Sequence, residues 1–249
     1  MNFILLYYEV MNIEGLRRSP RSLTLREKMW VENFRAHETP ASLQLADEFV
    51  NSLRPSDVVL EVGCAFGRIT DYLASKKKLV VVGVDINSAE IQYAKDNLTN
   101  PRVRFEVMDG SELDFPDNSF DVVVMLGVVG GVELEVRKNL LKEAHRVIKP
   151  GGAVAIAEFK MNLDDPDKVK KYEDDMKITG EWGSRIVKKG SKILFVAKHF
   201  TEEELINLLS DAGFSLIELR EQTIEVAGIG DGIVEKRKQY NAWGVKALK

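Results

Sequence analysis

The chain has 249 residues and one cysteine, Cys64. A lone thiol has no partner for an internal disulfide, so a reducing, cytoplasmic setting is expected. Histidine is almost as scarce, with His37, His145 and His199 the only three, and no metal site is expected. Long apolar runs are missing. Met1–Met11 is apolar but too short to span a bilayer, and it carries neither a basic leader nor a small-residue cleavage site. It reads as an extra strand or helix packed on the body. An excess of positive charge is also missing: the net charge is -4, which argues against a nucleic-acid backbone as partner. Lys76-Lys77-Lys78 and Lys188-Lys189 read as solvated turns. There is no internal repeat and no low-complexity linker.

What is present is an ordinary globular composition, 45% hydrophobic and 30% charged. A chain of this length buries one substantial core, and one domain with an inserted cap is expected rather than two independent domains. The first 57 residues read as a helical region. Leu23–Phe34 carries mixed charge with Trp30 and Phe34, and Thr39-Pro40 looks like a cap and first residue of a helix running to Leu53. Arg54-Pro55-Ser56-Asp57 breaks it.

From Val58 the pattern alternates. Apolar, β-branched runs at Val58–Val62, Val80–Val84, Val103–Met108, Phe120–Leu126 and Ala153–Phe159 are separated by helical stretches at Arg68–Ser75, Ser88–Leu98 and Glu133–Val147. Strands this apolar are buried on both faces, which a parallel sheet covered by helices requires. Residues 161–199 break the rhythm with a charged helix (Asp167–Met176), Trp182, and a hairpin of Arg185–Lys189 and Lys192–Ala197. Thr201-Glu202-Glu203-Glu204 is a capping box opening a helix to Ala212, ended by Gly213. Phe214–Leu219 reads as a sixth strand, a helix is expected around Gly232–Gln239, and a last strand near Trp243–Leu248.

The chemistry-bearing pattern begins at Glu61-Val62-Gly63-Cys64-Ala65-Phe66-Gly67, which closes a strand and enters a helix. Small residues at such a turn let a ligand approach the backbone, and the helix start offers N–H donors. Asp85 ends the next strand, about 20 residues further on, where a carboxylate accepts hydrogen bonds from ribose hydroxyls. Asp109-Gly110 ends the third strand, and Ile148-Lys149-Pro150-Gly151-Gly152 leads into the fifth. Alone, each of these is an ordinary connection.

In this order and at these spacings, the pattern resembles the class I S-adenosylmethionine-dependent methyltransferases, particularly the small-molecule group that includes quinone and sterol methylases. The likeness covers Val58–Phe159 and Phe200 to the end, and leaves out the N-terminal region and the insertion. It implies a Rossmann-like α/β fold: a seven-stranded, mostly parallel sheet with an antiparallel last strand, helices on both faces, and a cap. It implies S-adenosylmethionine as cofactor. Gly63, Ala65 and Gly67 would surround its methionine and ribose part, with Glu61 ahead of the glycines. Asp85 would hold the ribose, Ile86 would pack on adenine, Asp109 and Gly110 would face the adenine edge, and the backbone near Leu126 would hold the amino group. Ala65 stands where the family most often has glycine. A nicotinamide-binding fingerprint fits less well, because Ala65 and Arg68 fill its second and third glycine positions.

Methyl transfer from a sulfonium needs alignment more than acid–base groups, so no particular catalytic residue is marked. His145, near a helix C-terminus, reads as structural. His37 and His199 read as surface residues, and Cys64 as a buried filler. The apolar, glycine-rich Leu126–Gly131 stretch suits a small or lipophilic organic acceptor. Trp30, His37 and Trp182 are the candidate acceptor contacts.

Overall fold

The computed structural model describes residues 21–33, 43–228 and 235–249. Met1–Met11, Phe34, His37 and Thr39-Pro40 lie outside them.

In chain order the elements are α1 (Leu25–Asn33), α2 (Asp47–Ser52), β1 (Val58–Val62), α3 (Arg68–Lys77), β2 (Val80–Asp85), α4 (Ser88–Asn97), β3 (Val103–Val107) and β4 (Phe120–Leu126). A single 3-10 turn at Val129–Gly131 precedes α5 (Leu134–Val147) and β5 (Ile148–Phe159). Then come α6 (Pro166–Thr179), β6 (Ser184–Lys189), β7 (Lys192–Lys198), α7 (Glu202–Asp211), β8 (Ser215–Gly228) and β9 (Glu235–Leu248).

Seven strands form one sheet in the order β3-β2-β1-β4-β5-β9-β8, and β6 and β7 form a separate hairpin. β1 pairs in parallel with both β2 and β4, while β9 runs antiparallel between β5 and β8. The order therefore reverses at β1, and the crevice beyond the carboxyl ends of β1 and β4 is where such sheets bind ligands.

The strand runs are apolar throughout because helices cover both faces. Leu60, Val82 and Val123 face α5 and α7, packing with Leu140, Leu141, Leu205 and Leu209. Their neighbours Val59, Val81, Val122 and Val124 face the other way, onto Phe49 and Val50 of α2 and Ile69 and Leu73 of α3. Local chemistry sets the helix ends. Thr201 and Glu204 form the expected capping box on α7, and Asp165 accepts from Asp167 N and Lys168 N to start α6 at Pro166.

Three expectations need correction. The helix read as running to Leu53 is helical only from Asp47; Ala46 before it is extended, with φ -61 and ψ 137. The extended passage carries Leu43 over the carboxyl edge of the sheet, where its carbonyl accepts from Arg68 Nη2 at 2.7 Å. The helix expected around Gly232–Gln239 is strand from Glu235 onward, because β8 and β9 pair over most of their length in a long hairpin. Backbone pairing with β8 at Glu235, Lys238 and Gln239 outweighs the helical bias of a charged stretch. His199, read as a surface residue, is buried: its Nδ1 lies 2.9 Å from the Tyr172 hydroxyl and its ring stacks on Phe159. Burial pushes its pKa down to about 3, so it is neutral at physiological pH.

Among the described residues no helix is long and apolar enough to cross a membrane.

Candidate active site

A cavity of about 330 Å³ opens beyond the carboxyl ends of β1, β2 and β4. Its floor is the turn from β1 into α3. Gly63 and Gly67 have φ of +72° and +82°, and Ala65 between them has φ 47. The left-handed conformation is natural to glycine and tolerable for a residue as small as alanine. The turn is pinned in place: Gly63 N and Cys64 N both donate to Val84 O, at 2.8 and 3.0 Å. A Cβ on Gly63 would come 2.3 Å from Cγ2 of Val128, so the strand-to-helix turn and the loop after β4 touch only because residue 63 is glycine. Gly67 serves differently. It does not line the cavity; it caps α3, and a Cβ there would strike the Phe105 ring at 2.4 Å.

Asp85 ends β2 at the cavity wall. Its Oδ2 accepts from Ala65 N and its Oδ1 from Asn87 N, both at 2.8 Å. The carboxylate thus ties the glycine turn to the end of β2, and each oxygen retains a second lone pair. Burial raises its pKa to about 6, the two N–H donors pulling the other way. Asn87, not Asp85, caps α4, accepting from Ala89 N and Glu90 N. Ile86, half-buried, adds an apolar surface beside Asp85.

Asp109 and Gly110 line the same cavity. Asp109 is already engaged. Oδ1 accepts from Ser111 N at 2.8 Å and Ser111 Oγ at 2.7 Å, and Oδ2 pairs with Arg21 Nε at 2.9 Å. Arg21 also grips Glu27, with Nη1 to Oε2 at 2.9 Å. The segment ahead of α1 is therefore strapped to the end of β3, and any bond Asp109 offers a ligand is shared with Arg21.

Glu61 is buried at the base of the turn and accepts from the Thr70 hydroxyl. Burial lifts its pKa to about 7, with Thr70 and the Arg68 charge holding it down. Leu126, at the end of β4, lines the cavity, and the next N–H, of Gly127, donates to Ala157 O at 2.9 Å.

The other half of the cavity comes from elements far apart in sequence. Trp30 of α1 and Phe195 of β7 stack with centroids 4.0 Å apart, and both line it. The Trp30 indole N–H donates to Gly131 O at 3.1 Å, which fixes the ring against the loop after β4. Leu43, Phe159 and Ala197 complete an apolar wall. Trp182 does not belong there. It sits edge-on to Tyr172, and its carbonyl accepts from Lys198 Nζ at 2.7 Å.

Two buried charged groups, one in this wall and one outside the cavity lining, were not anticipated. Glu158, 1% exposed, ends β5 and lines the cavity. Arg137 of α5, also 1% exposed, donates to Val129 O and Val132 O at 2.7 and 2.8 Å and pairs with Glu181 at 2.8 Å. Both had a signal. Glu158 interrupts the apolar run Ala153–Phe159, and Arg137 falls on the stripe of α5 that carries Leu140, Leu141 and Ala144. Cys64 is buried with its thiol pKa pushed up by burial and by nearby carboxylates, as befits a filler. His145 packs edge-on to Phe214 with its pKa lowered by burial.

A glycine turn after β1, an acid at the end of β2 and the sheet order β3-β2-β1-β4-β5-β9-β8 mark an α/β fold of the kind that binds nucleotide cofactors. The comparisons agree. Residues 59–152 match a family model described as a methyltransferase domain. A solved S-adenosylmethionine-dependent methyltransferase from Methanosarcina mazei is 32% identical, with 83% of this chain and 99% of that one superposed at a TM-score of 0.73. A 27-O-demethylrifamycin SV methyltransferase of Amycolatopsis mediterranei is 30% identical over 54% of each chain. A phosphoethanolamine N-methyltransferase of Arabidopsis thaliana is 30% identical over 53% of this chain. The chain spans about half of the rifamycin enzyme's length and only 27% of the plant enzyme's. The chain belongs to the S-adenosylmethionine-dependent methyltransferases.

Proposed function

We propose that this protein transfers the methyl group of S-adenosylmethionine to a small organic acceptor held in the apolar half of the cavity. One observation carries this reading: a single open cavity is lined both by the glycine turn with Asp85 and by the Trp30–Phe195 stack. The cofactor supplies a methyl group already activated on a sulfonium. The residues fit its adenosyl part. Asp85 keeps two lone pairs toward the cavity for a ribose diol, Ile86 offers an apolar face to adenine, and Gly110 and Asp109 bound the adenine end. Gly63, Ala65 and the Leu126 backbone would surround the amino-acid tail, with Glu61 beneath it. Gly67 contributes by shaping the turn.

The remaining work of the chain is alignment and exclusion of water, which supply much of the rate in such reactions. Domain organisation follows the same reading: 1–57 as an N-terminal helical region, 58–249 as the catalytic domain, and 161–199 as a cap over the acceptor end. The cap contributes Phe195 and Ala197 to the cavity. Its helix α6 and the residue before it interleave Asp165, Asp167, Glu173, Asp174 and Asp175 with Lys168, Lys170, Lys171 and Lys177, a face of mixed sign rather than a basic stripe for a phosphate backbone. The acceptors named for the two curated relatives, a rifamycin and phosphoethanolamine, are small molecules. A cytoplasmic setting accompanies the reading, on the single buried thiol.

Calorimetry with S-adenosylmethionine, S-adenosylhomocysteine and NAD tests the cofactor half; binding of NAD alone would overturn it. A radiolabelled methyl-transfer screen of cell extract, separated into small molecules, protein and RNA, tests the acceptor half. Label confined to RNA or protein would refute the small-molecule reading.

A further inference from the structure

Glu158 has no part in the cofactor contacts above, yet it lies in the same cavity. It is held there by design of the backbone. Gly130 N donates to Glu158 Oε1 at 3.1 Å. A Cβ on Gly130 would sit 2.9 Å from Glu158 Oε2 and 2.6 Å from the carbonyl oxygen of Lys198, so the loop after β4 can close over this carboxyl only with glycine at that position. Two residues before Gly130 is Val128, which packs against Gly63 of the cofactor turn. The carboxyl therefore stands one loop-width from the cofactor turn, on the side where Trp30, Phe159 and Phe195 form the wall.

We infer that Glu158 is the base of the transfer reaction, and that its acceptor is a neutral, planar compound whose nucleophile is a weakly acidic O–H, a phenol or an enol. This rests on the methyltransferase reading and narrows its substrate class. Aromatic side chains suit a flat acceptor by stacking. A carboxyl group at its edge suits an O–H donor. An amine is disfavoured there, because a buried carboxylate would hold it as the non-nucleophilic ammonium ion. In the reaction the acceptor oxygen's lone pair forms the bond to the methyl carbon. The carbon–sulfur bond breaks with its electron pair passing to sulfur, and the O–H proton passes to Glu158, which later releases it to water.

The surroundings let the group carry a proton near neutrality. Burial raises its pKa to about 7, opposed by the Gly130 N–H, the charge of Arg137 from α5, and the N–H groups of Val129 and Val128. Lys198 at the end of β7 is committed elsewhere, to Trp182 O and to Glu204, both at 2.7 Å. On β9 the residue paired with Glu158 is the uncharged Trp243. A general base is most effective with its pKa near the working pH.

The test uses the full chain with S-adenosylhomocysteine bound and two probes, 4-methylphenol and its methyl ether 4-methylanisole, titrated by ligand-observed NMR at about pH 6 and about pH 8. Ionised Glu158 accepts from the phenol and has nothing to accept from the ether. The expected result is a phenol affinity about tenfold higher at the upper pH, with no rise in ether affinity. Glu158→Gln, whose amide oxygen can still accept from Gly130 N, should abolish the rise. A phenol that binds no better than the ether at about pH 8, or an equal rise in Glu158→Gln, overturns the inference. The wild-type comparison of the two probes stands even if the variant does not fold. Failure of S-adenosylhomocysteine to bind would instead overturn the methyltransferase reading, with the probe comparison still reporting on Glu158.

Discussion

Adding one methyl group at Gly63 separates two reasons for a glycine in the turn after β1. Gly63→Ala places a Cβ 2.3 Å from Val128 Cγ2, in a backbone with φ +72°. The left-handed conformation costs an L-residue about 1–2 kcal/mol. Overpacking adds about 1–3 kcal/mol, because Gly63 N is tied to Val84 O and the turn cannot slide away. The variant should lose about 2–5 kcal/mol by urea unfolding. Val128→Ala in the same chain removes the obstructing methyls and leaves the backbone conformation untouched. The double variant should therefore recover the packing part and keep the conformational part, a coupling of about 1–3 kcal/mol. The new Cβ points at Val128, so affinity for S-adenosylhomocysteine should recover with stability. Additive effects within about 0.5 kcal/mol would mean that Val128 is not the obstacle. Recovered stability with affinity still lost would mean that residue 63 is glycine for the ligand's sake alone.

Asp85→Ala should weaken S-adenosylhomocysteine binding about tenfold or more by calorimetry. It should also cost about 1–3 kcal/mol of stability, since Ala65 N and Asn87 N lose their acceptor; unchanged affinity would leave Asp85 as a tie between turns and nothing more. Glu158 has a folded pKa of about 7 against an ordinary 4.5, so the folded chain binds its proton more tightly than the unfolded chain. Stability relative to Glu158→Gln should be full below about pH 4.5 and fall by roughly 3 kcal/mol as pH rises through about 7; a flat difference across denaturant midpoints would refute the buried placement. Glu181→Ala removes the partner shared by Arg137 and Arg26. It should lower stability by about 1–3 kcal/mol, discounted for the partial exposure of Glu181, and should make the region around Ser184 exchange amide hydrogens faster.

The part of the cavity proposed for the cofactor was legible in the sequence because it is local. Each piece is a strand end and the few residues after it: Glu61–Gly67 after β1, Asp85-Ile86 after β2, Asp109-Gly110 after β3. Alternating runs place the strands, and a parallel sheet brings their carboxyl ends to one edge without further information. Even there a residue type did not fix its job. Gly67 serves the packing of Phe105, and the Asp109 carboxylate is taken by Arg21 and Ser111, a pairing that spans most of the first half of the fold.

The part proposed for the acceptor was legible only at Trp30, for the opposite reason. The Trp30 and Phe195 rings meet with centroids 4.0 Å apart from well-separated parts of the chain, and nothing local to either states that they do. Trp182, a tryptophan in the same insertion, packs instead on Tyr172. Choosing between two tryptophans requires knowing which strand of the β6–β7 hairpin lies against α1. The same holds for His199, whose burial depends on the hydroxyl of Tyr172 one helix away. What sequence does carry for this half is a breach of its own pattern. A carboxyl inside an apolar strand and a guanidinium on an apolar helix stripe each impose a desolvation cost that a purely structural core would avoid. Arg137 is explained by its carbonyl partners and Glu181. Glu158 accepts from Gly130 N at 3.1 Å, and the N–H groups of Val129 and Val128 and the Arg137 charge also favour its ionised form, yet burial outweighs them; the carboxyl lines the cavity, and an O–H acceptor is the reason we propose for keeping it there.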